Sequence, residues 1–142
     1  RYPRAPEDQL VLWALWSRGR NDSPVGVYSH QTALSLHELA DLMPAKLHMT
    51  VPLAFRKTAE VPKILVLHKA SVEAADIEER EGYRIVKPLQ AIVGILDEGS
   101  EERSRLRNAL REALNRGLIT RRQIEQYERR REIQALLGGK PA

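Results

Sequence analysis

Residues Gly26–Pro52 read GVYSHQTALSLHELADLMPAKLHMTVP and combine two different hydrophobic periods. In the first half, apolar residues recur at helical spacing, which predicts a helix with one buried stripe. Ser29 stands at the N-cap position, where its hydroxyl is expected to accept an amide proton of the first turn. From Lys46 the period changes to two, which predicts a half-buried strand ending near Val51. The stretch therefore predicts a helix that leads into a strand.

Further strands are expected downstream of this unit. Residues 64–67, Ile-Leu-Val-Leu, form a short continuous apolar run, which is typical of an inner strand covered on both faces. Tyr83–Val86 follows a turn signal and predicts another strand. The acidic stretch Glu73–Glu81 lies between them, and we expect it to be a loop or a short solvated helix.

Helices are expected at both ends of the chain. Residues 6–17 are apolar on nearly every side, which predicts a buried or covering helix. Pro88 opens a helix in the first-turn position. Residues 100–137 predict a helical hairpin around Gly117, which is suited to a left-handed helix stop. The last helix carries apolar residues on two opposite sides, so it either breaks near Arg131 or packs its end on a partner.

The patterns together predict an α/β fold with a small mixed sheet of about three to four strands. At 142 residues the chain forms one domain with a single core. The chain lacks cysteine, which excludes a disulfide scaffold and thiol chemistry. It has no apolar run of about 18 residues and no secretory signal, so we expect a cytoplasmic protein without membrane contact. Because it begins at Arg1, we expect an excised domain or a processed product.

The basic excess of the chain is concentrated near its C-terminus. Residues 101–142 carry 11 basic and 6 acidic side chains, whereas residues 73–81 are strongly acidic. Such polarity is able to steer an anionic partner towards one end of the molecule. The alternative is that solvated helices are simply rich in arginine and glutamate.

The histidines were considered for catalysis and for metal binding. His30 adjoins Ser29, but no carboxylate is evidently placed in the sequence to orient its ring. His48 and His68 lie on different predicted strands and are able to meet in a sheet. Two histidines without a third ligand make a weak zinc site. No catalytic residue, metal or cofactor is therefore predicted. His37 lies on the buried stripe and is expected to be a core histidine.

Nucleic-acid or partner contact is the more strongly indicated role. The terminal helices resemble a helix-turn-helix, whose arginines are suited to phosphate contact and whose Gln123 and Gln126 are suited to base edges. The alternative is a hairpin that closes the domain, with its arginines solvated or paired to glutamates. The predicted contact residues are Arg121, Arg122, Arg129 and Arg130 in this region, and Arg56 and Lys57 in the loop after the strand.

Several of these segments together resemble the AbiEi family, the antitoxins of bacterial type IV toxin–antitoxin systems. The resemblance is carried by Ser29–Leu34 (SHQTAL), Leu47–Pro52 (LHMTVP) and Arg116–Thr120 (RGLIT). Ser29, His30, His48 and Thr50 are polar residues of these motifs, and among them His48 and Thr50 form a polar strand face that is expected to line a contact surface.

The resemblance implies a non-catalytic domain that follows an N-terminal winged helix-turn-helix, with residues 1–6 as the end of the linker. It implies two partners: a cognate toxin of the nucleotidyltransferase type, often neutralised without a stable complex, and promoter DNA for autorepression. Two other functions remain open from the residues themselves. One is a stand-alone DNA-binding module, and the other is an enzyme that transfers a phosphate-bearing group to the toxin.

Overall fold

The computed structural model describes residues 7–18, 25–40, 45–57, 60–99 and 103–138. Within these residues, five strands form one mixed sheet in the order β3-β2-β1-β5-β4. The strands are β1 (Val27–Tyr28), β2 (Leu47–Val51), β3 (Leu65–Lys69), β4 (Ile77–Arg80) and β5 (Tyr83–Val86). The helices are α1 (Glu7–Trp16), α2 (His30–Leu36), α3 (Pro88–Asp97), α4 (Arg103–Asn115), α5 (Arg121–Gln126) and α6 (Arg130–Gly138). The predicted α/β fold is confirmed, with one strand more than the expected maximum.

The two-residue strand β1 joins the two parts of the sheet. It pairs antiparallel with β2 on one side and parallel with β5 on the other. Tyr28 is fully buried, and its hydroxyl donates a 2.6 Å hydrogen bond to the carbonyl of Leu10 in α1. It also packs edge-on against Tyr83. α1 therefore covers the sheet face on which Tyr28 lies.

The opposite face of the sheet is covered by α2 and α3, which pack against each other. Side chains alternate along a strand, so His48 and Thr50 point away from the α1 side, on which Met49 lies beside Tyr28. Thr50 is only 5% exposed. The strand predicted as half-buried is thus covered on its polar face as well. His37 is buried as expected, with its Nε2 2.9 Å from the carbonyl oxygen of Val86.

Two predictions about the strands are wrong. The apolar run that was expected to be an inner strand forms β3, which lies at the edge of the sheet and pairs with β2. Its apolar side chains Val66 and Leu67 are only partly covered. The acidic stretch expected to be a loop or a short solvated helix begins with a short 3-10 helix, Ala74–Asp76, but continues as β4, which pairs antiparallel with β5. Charged residues are well suited to such an edge, since they oppose further strand pairing.

The C-terminal helices form a more compact unit than the predicted hairpin. The capping box of Thr120 and Gln123 is present, and Gly117 has the expected left-handed conformation with φ 75°. The chain then leaves the helical conformation at Tyr127, where ψ is 135°. Because of this break, Ile124 on α5 and Leu136 on α6 are both buried. The first of the two alternatives for the last helix, a break, is therefore correct.

Several predicted features lie outside the described residues. These are the linker at residues 1–6 and the start of the hairpin at residues 100–102. None of the helices in the described part of the chain has the length and apolar character that crossing a membrane requires.

Candidate functional site

A cleft of about 380 Å³ opens beside the polar face of β2 and β3, at the C-terminal end of α3. Its polar lining includes Ser29, His30, Thr50, His68, Asp97 and Glu98. Four elements, α2, β2, β3 and α3, therefore contribute side chains to one surface.

Strand register brings the histidines together. β2 and β3 run parallel with Thr50 beside His68 and His48 beside Val66, so both histidines project from the same face. Nδ1 of His48 lies 3.0 Å from Nε2 of His68. The expectation that these two histidines meet in the sheet is confirmed. His30, the first residue of α2, stacks on His68 with ring centroids 3.7 Å apart.

Glu98 supplies the carboxylate that was not evident from the sequence. It is the C-cap residue of α3, and its Oε2 lies 2.9 Å from Nδ1 of His68 and 3.6 Å from Nε2 of His30. An acid at the C-terminus of a helix is disfavoured by the helix dipole. Its neighbours in the cleft, rather than α3 itself, therefore stabilise this carboxylate.

The hydroxyl of Ser29 takes part in this cluster instead of capping α2. Ser29 has the backbone conformation of an N-cap, but its side chain makes no capping hydrogen bond. Its Oγ accepts a 2.8 Å hydrogen bond from Thr50 and lies 2.7 Å from Nδ1 of His30. The expected cap is thus absent, because the cluster uses the oxygen that would have formed it.

The backbone of His30 is held in an unusual conformation. Its φ of 55° lies in the left-handed region, which costs a non-glycine residue on the order of 1–3 kcal/mol and is often found at functional sites. The ring is accommodated because Gly94 on α3 has no side chain. A β-carbon at Gly94 would lie 3.0 Å from Nε2 of His30. Surrounding contacts therefore fix the position of this ring.

Burial keeps the three histidines neutral near pH 7. Desolvation, together with the neighbouring histidines, lowers the pKa of His30 to about 4. Desolvation and His68 lower the pKa of His48 to about 4 as well. The pKa of His68 is lowered by desolvation and raised again in part by Glu98. Neutral imidazole is the form that accepts protons and binds metal ions.

The arrangement suits two kinds of chemistry. With His68 protonated on Nδ1, that N–H donates to Glu98, and Nε2 of His68 accepts from Nδ1–H of His48. In this tautomer of both rings, Nε2 of His48 keeps a free lone pair that is able to accept a proton. Glu98 then orients His68, and His68 orients His48, as a carboxylate orients a general base in acid–base catalysis. Alternatively, His30, His68 and Glu98 offer one ligand atom each, all within 4.8 Å of one another, which is a spacing that a metal ion is able to bridge.

One arginine from the predicted contact set lies at this cleft. Arg129 donates to Asp97 at 2.5 Å and to Glu132 at 2.7 Å. These hydrogen bonds, first to Glu132 and then to Asp97, raise the pKa of its guanidinium. Its charge is therefore balanced within the chain.

The other predicted contact residues lie away from the cleft. Arg121, Arg122 and Arg130 are exposed on α5 and α6. Arg56 is exposed in the loop after β2, where Lys57 donates to the carbonyl of Trp16 and lies 5.1 Å from its ring centroid. Gln123, considered for base contact, accepts from the amide of Thr120 through its side chain. The structure thus brings the histidine and hydroxyl residues together, and leaves these basic residues apart from them.

Glu98 and Gly94 were not predicted from the sequence as residues of a site. Each is an ordinary residue in its local context, an acid near a helix end and an isolated glycine. A signal for Glu98 was present, since Asp97 and Glu98 stand together at the unfavourable end of α3. Comparison with protein-family models finds no matching family, and comparison with curated proteins finds no matching sequence.

Proposed function

We propose that this chain is the toxin-opposing domain of an AbiEi-like type IV antitoxin, acting in the bacterial cytoplasm against a nucleotidyltransferase toxin. One observation supports the proposal most directly. Four polar residues of the motifs that carry the family resemblance belong to one cluster: Thr50, Ser29 and His30 are in hydrogen-bond contact, and His48 joins them through His68, which stacks on His30. Because these side chains contact one another, they are suited to act together in a single role, such as binding one partner.

A binding role fits the accessibility of the cluster better than attack by a serine. Ser29 is 3% exposed and His30 is 9% exposed, and the Ser29 hydroxyl is already in contact with Thr50 and His30. Glu98 is more accessible, with 37% of its side chain exposed, as is the neighbouring Asp97. The cleft is therefore proposed to present Glu98 and the edge of the histidine cluster to a partner.

Co-expression with the toxin encoded beside this gene tests the antitoxin proposal. The chain is expected to restore growth, and Ser29→Ala is expected to reduce rescue because it removes the contacts to Thr50 and His30. Ser104→Ala is the matched control, because Ser104 is exposed on α4. If both variants rescued growth equally at equal protein levels, the cleft would have no part in opposing the toxin. Failure of the wild-type chain to rescue would reject the function itself.

A contribution to autorepression is proposed for the exposed arginines of α5 and α6. Arginine side chains neutralise DNA phosphates, and each contact contributes to the salt dependence of binding. A double variant, Arg121→Glu with Arg122→Glu, is expected to weaken binding of promoter DNA and to flatten its salt dependence. The matched control reverses two exposed lysines, Lys46→Glu with Lys63→Glu. Equal loss in both variants would show that net charge alone matters.

A second function, transfer of a phosphate-bearing group to the toxin, is favoured by one observation. Ser29, His30 and Glu98 line the same cleft, as a nucleophile, base and carboxylate would. Incubation of the chain with γ-labelled and α-labelled ATP and the toxin tests this function. Label on the toxin that depends on His30 would support it, and unlabelled toxin at full rescue would exclude it.

A further inference from the structure

We propose that His30, His68 and Glu98 form a binding site for a divalent transition-metal ion such as Zn²⁺, with an open coordination position towards the cleft. This inference does not rest on the antitoxin function, because it follows from the ligand geometry alone.

The spacing of the ligand atoms fits a tetrahedral ion. Protein ligands about 2.0–2.2 Å from a tetrahedral metal lie about 3.4 Å from one another. Glu98 Oε2 is 2.9 Å from Nδ1 of His68 and 3.6 Å from Nε2 of His30, and all three atoms lie within 4.8 Å of one another. The distances need only small shifts, but one imidazole must also rotate, because the His30 and His68 rings stack 14° from parallel and a ring nitrogen binds a metal ion in the plane of its ring.

The other ring nitrogens already have partners that orient the ligands. When Nε2 of His30 binds the ion, its Nδ1–H donates to Ser29, whose Oγ also accepts from Thr50. When Nδ1 of His68 binds the ion, its Nε2–H donates to Nδ1 of His48. Such partners fix the tautomer and ring orientation of histidine ligands. The ion would replace the contact between Nδ1 of His68 and Glu98, while the other nitrogen of each ring keeps a hydrogen-bond partner.

The charges at this end of α3 favour a cation beside Glu98. Asp97 is paired with Arg129, whereas the groups beside Glu98 are the imidazoles of His68 and His30. A divalent ion would stabilise the carboxylate, which the dipole of α3 alone disfavours.

The ligand set indicates the class of metal. Two imidazoles and one carboxylate suit zinc and its first-row neighbours, whereas Mg²⁺ prefers oxygen ligands. Three protein ligands leave the fourth tetrahedral position open, as in zinc sites that bind water or a substrate oxygen. Glu98 lies at the cleft surface, so this position is accessible to water or to an anionic oxygen of a partner.

Metal titration of the untagged chain tests the site. After removal of metal with a chelator and dialysis, Zn²⁺ is titrated in competition with a chromophoric chelator. We expect one Zn²⁺ per chain with a dissociation constant in the micromolar range or tighter, and no competition from millimolar Mg²⁺. Stoichiometry other than one, or binding only at millimolar Zn²⁺, would overturn the inference.

A pair of glutamate variants locates the ion. Glu98→Gln is expected to weaken Zn²⁺ binding by more than about 100-fold, since loss of a ligand exceeds the effect of losing its orienting partner. Glu79→Gln removes the same charge from an exposed position on β4 and is expected to bind like the wild type. Because Glu98 is partly exposed, both variants are expected to fold, which circular dichroism checks. Equal affinity in the two variants would place the ion elsewhere.

A glycine pair tests the position of His30. Gly94→Ala introduces a β-carbon 3.0 Å from Nε2 of His30 and is expected to weaken Zn²⁺ binding about 10-fold or more, like the loss of an orienting contact. Gly138→Ala is the control, because nothing lies within 4 Å of the added carbon. Nitrogen NMR shifts of the His30 and His68 rings should change on Zn²⁺ addition. Unchanged ring shifts at saturating Zn²⁺ would reject these residues as ligands.

Discussion

The histidine cleft and the C-terminal helices are two polar regions of this molecule, and they are built in opposite ways. The arginines of residues 121–131 are close in sequence and differ in surroundings: Arg122 is exposed, whereas Arg129 is paired with Asp97 and Glu132. His30, His48 and His68 come from three separate elements and form one cluster.

The difference shows why a local charge run is a weak guide to a site. Helical neighbours diverge by about 100° per residue, so adjacent arginines cannot all address one ligand. Parallel strand pairing, in contrast, sets residues about 20 positions apart side by side. In this chain it aligns His68 with the face of β2 that carries His48 and Thr50. The cleft is therefore the better-defined candidate site.

The largest effect is expected from the apolar side of the C-terminal helices. Leu136 is fully buried, so Leu136→Ala should lower the free energy of unfolding by about 2–5 kcal/mol. Leu118→Ala, at a residue 37% exposed, should change it by less than about 0.5 kcal/mol. Urea denaturation compares the two variants. Equal, small losses would mean that α6 is not part of the core and that the two regions are less distinct than described.

Acid should destabilise the cleft side of the molecule. His30 and His48 have folded pKa values of about 4, against about 6.5 in an unfolded chain. Below pH 6.5 the unfolded chain binds more protons, so the stability that is fully present above pH 6.5 is lost as pH falls towards 4. The loss should be on the order of 1 kcal/mol per histidine per pH unit.

Urea denaturation of the metal-free chain at several pH values measures this loss. His37, whose pKa is lowered by burial, adds to it from the core. His48→Gln should therefore reduce the slope of stability against pH without abolishing it. Stability that is constant or rises between pH 6.5 and pH 4.5 would contradict the assignment of neutral histidines.

The hydroxyl pair is expected to have a smaller effect. Thr50→Val removes the donor to Ser29 while preserving shape, and should cost about 1 kcal/mol in unfolding free energy. It should also shift the ring NMR signals of His30, because Ser29 connects the two residues. Signals of His30 that are identical in the variant and the wild type would break this connection.

The smallest effects are expected from the arginines themselves. Arg129→Ala removes a partly exposed ion pair and should cost less than about 1 kcal/mol, decreasing with added salt. Arg122→Ala should leave thermal stability unchanged, because its side chain lies on the exposed surface of α5. If Arg122→Ala lost more stability than Arg129→Ala, then Arg122, and not Arg129, would be the side chain held by an ion pair.

The fold was largely predictable where one local signal determines an element. The period change at Lys46 correctly predicted β2, Pro88 marked the start of α3, and Thr120 with Gln123 marked the start of α5. β3 was recognised as a strand, but a short apolar run does not distinguish an inner strand from a partly covered edge. β4 was missed because its pairing with β5, rather than its own acidic sequence, makes it a strand.

The candidate site was only partly predictable. Alternation placed His48 and Thr50 on one face, and the meeting of His48 with His68 was anticipated from strand pairing. The position of Glu98 depends on how α3 packs against α2, which no local pattern contains. Contacts with Thr50 on β2 and with the His30 ring hold the Ser29 hydroxyl, which makes no hydrogen bond to the helix amides that its sequence position favours. Tertiary contacts thus decide which polar atoms meet.

The brevity of β1 has a mechanical consequence. The two residues of β1 form the seam where the two halves of the sheet join. On one side lie β2 and β3, which carry His48 and His68. On the other side lies β5, which leads into α3 and Glu98. The 2.9 Å contact between His68 and Glu98 spans that seam. A rotation of one half of the sheet against the other would change this distance, so the contact between the carboxylate and the imidazole depends on how the two halves pack.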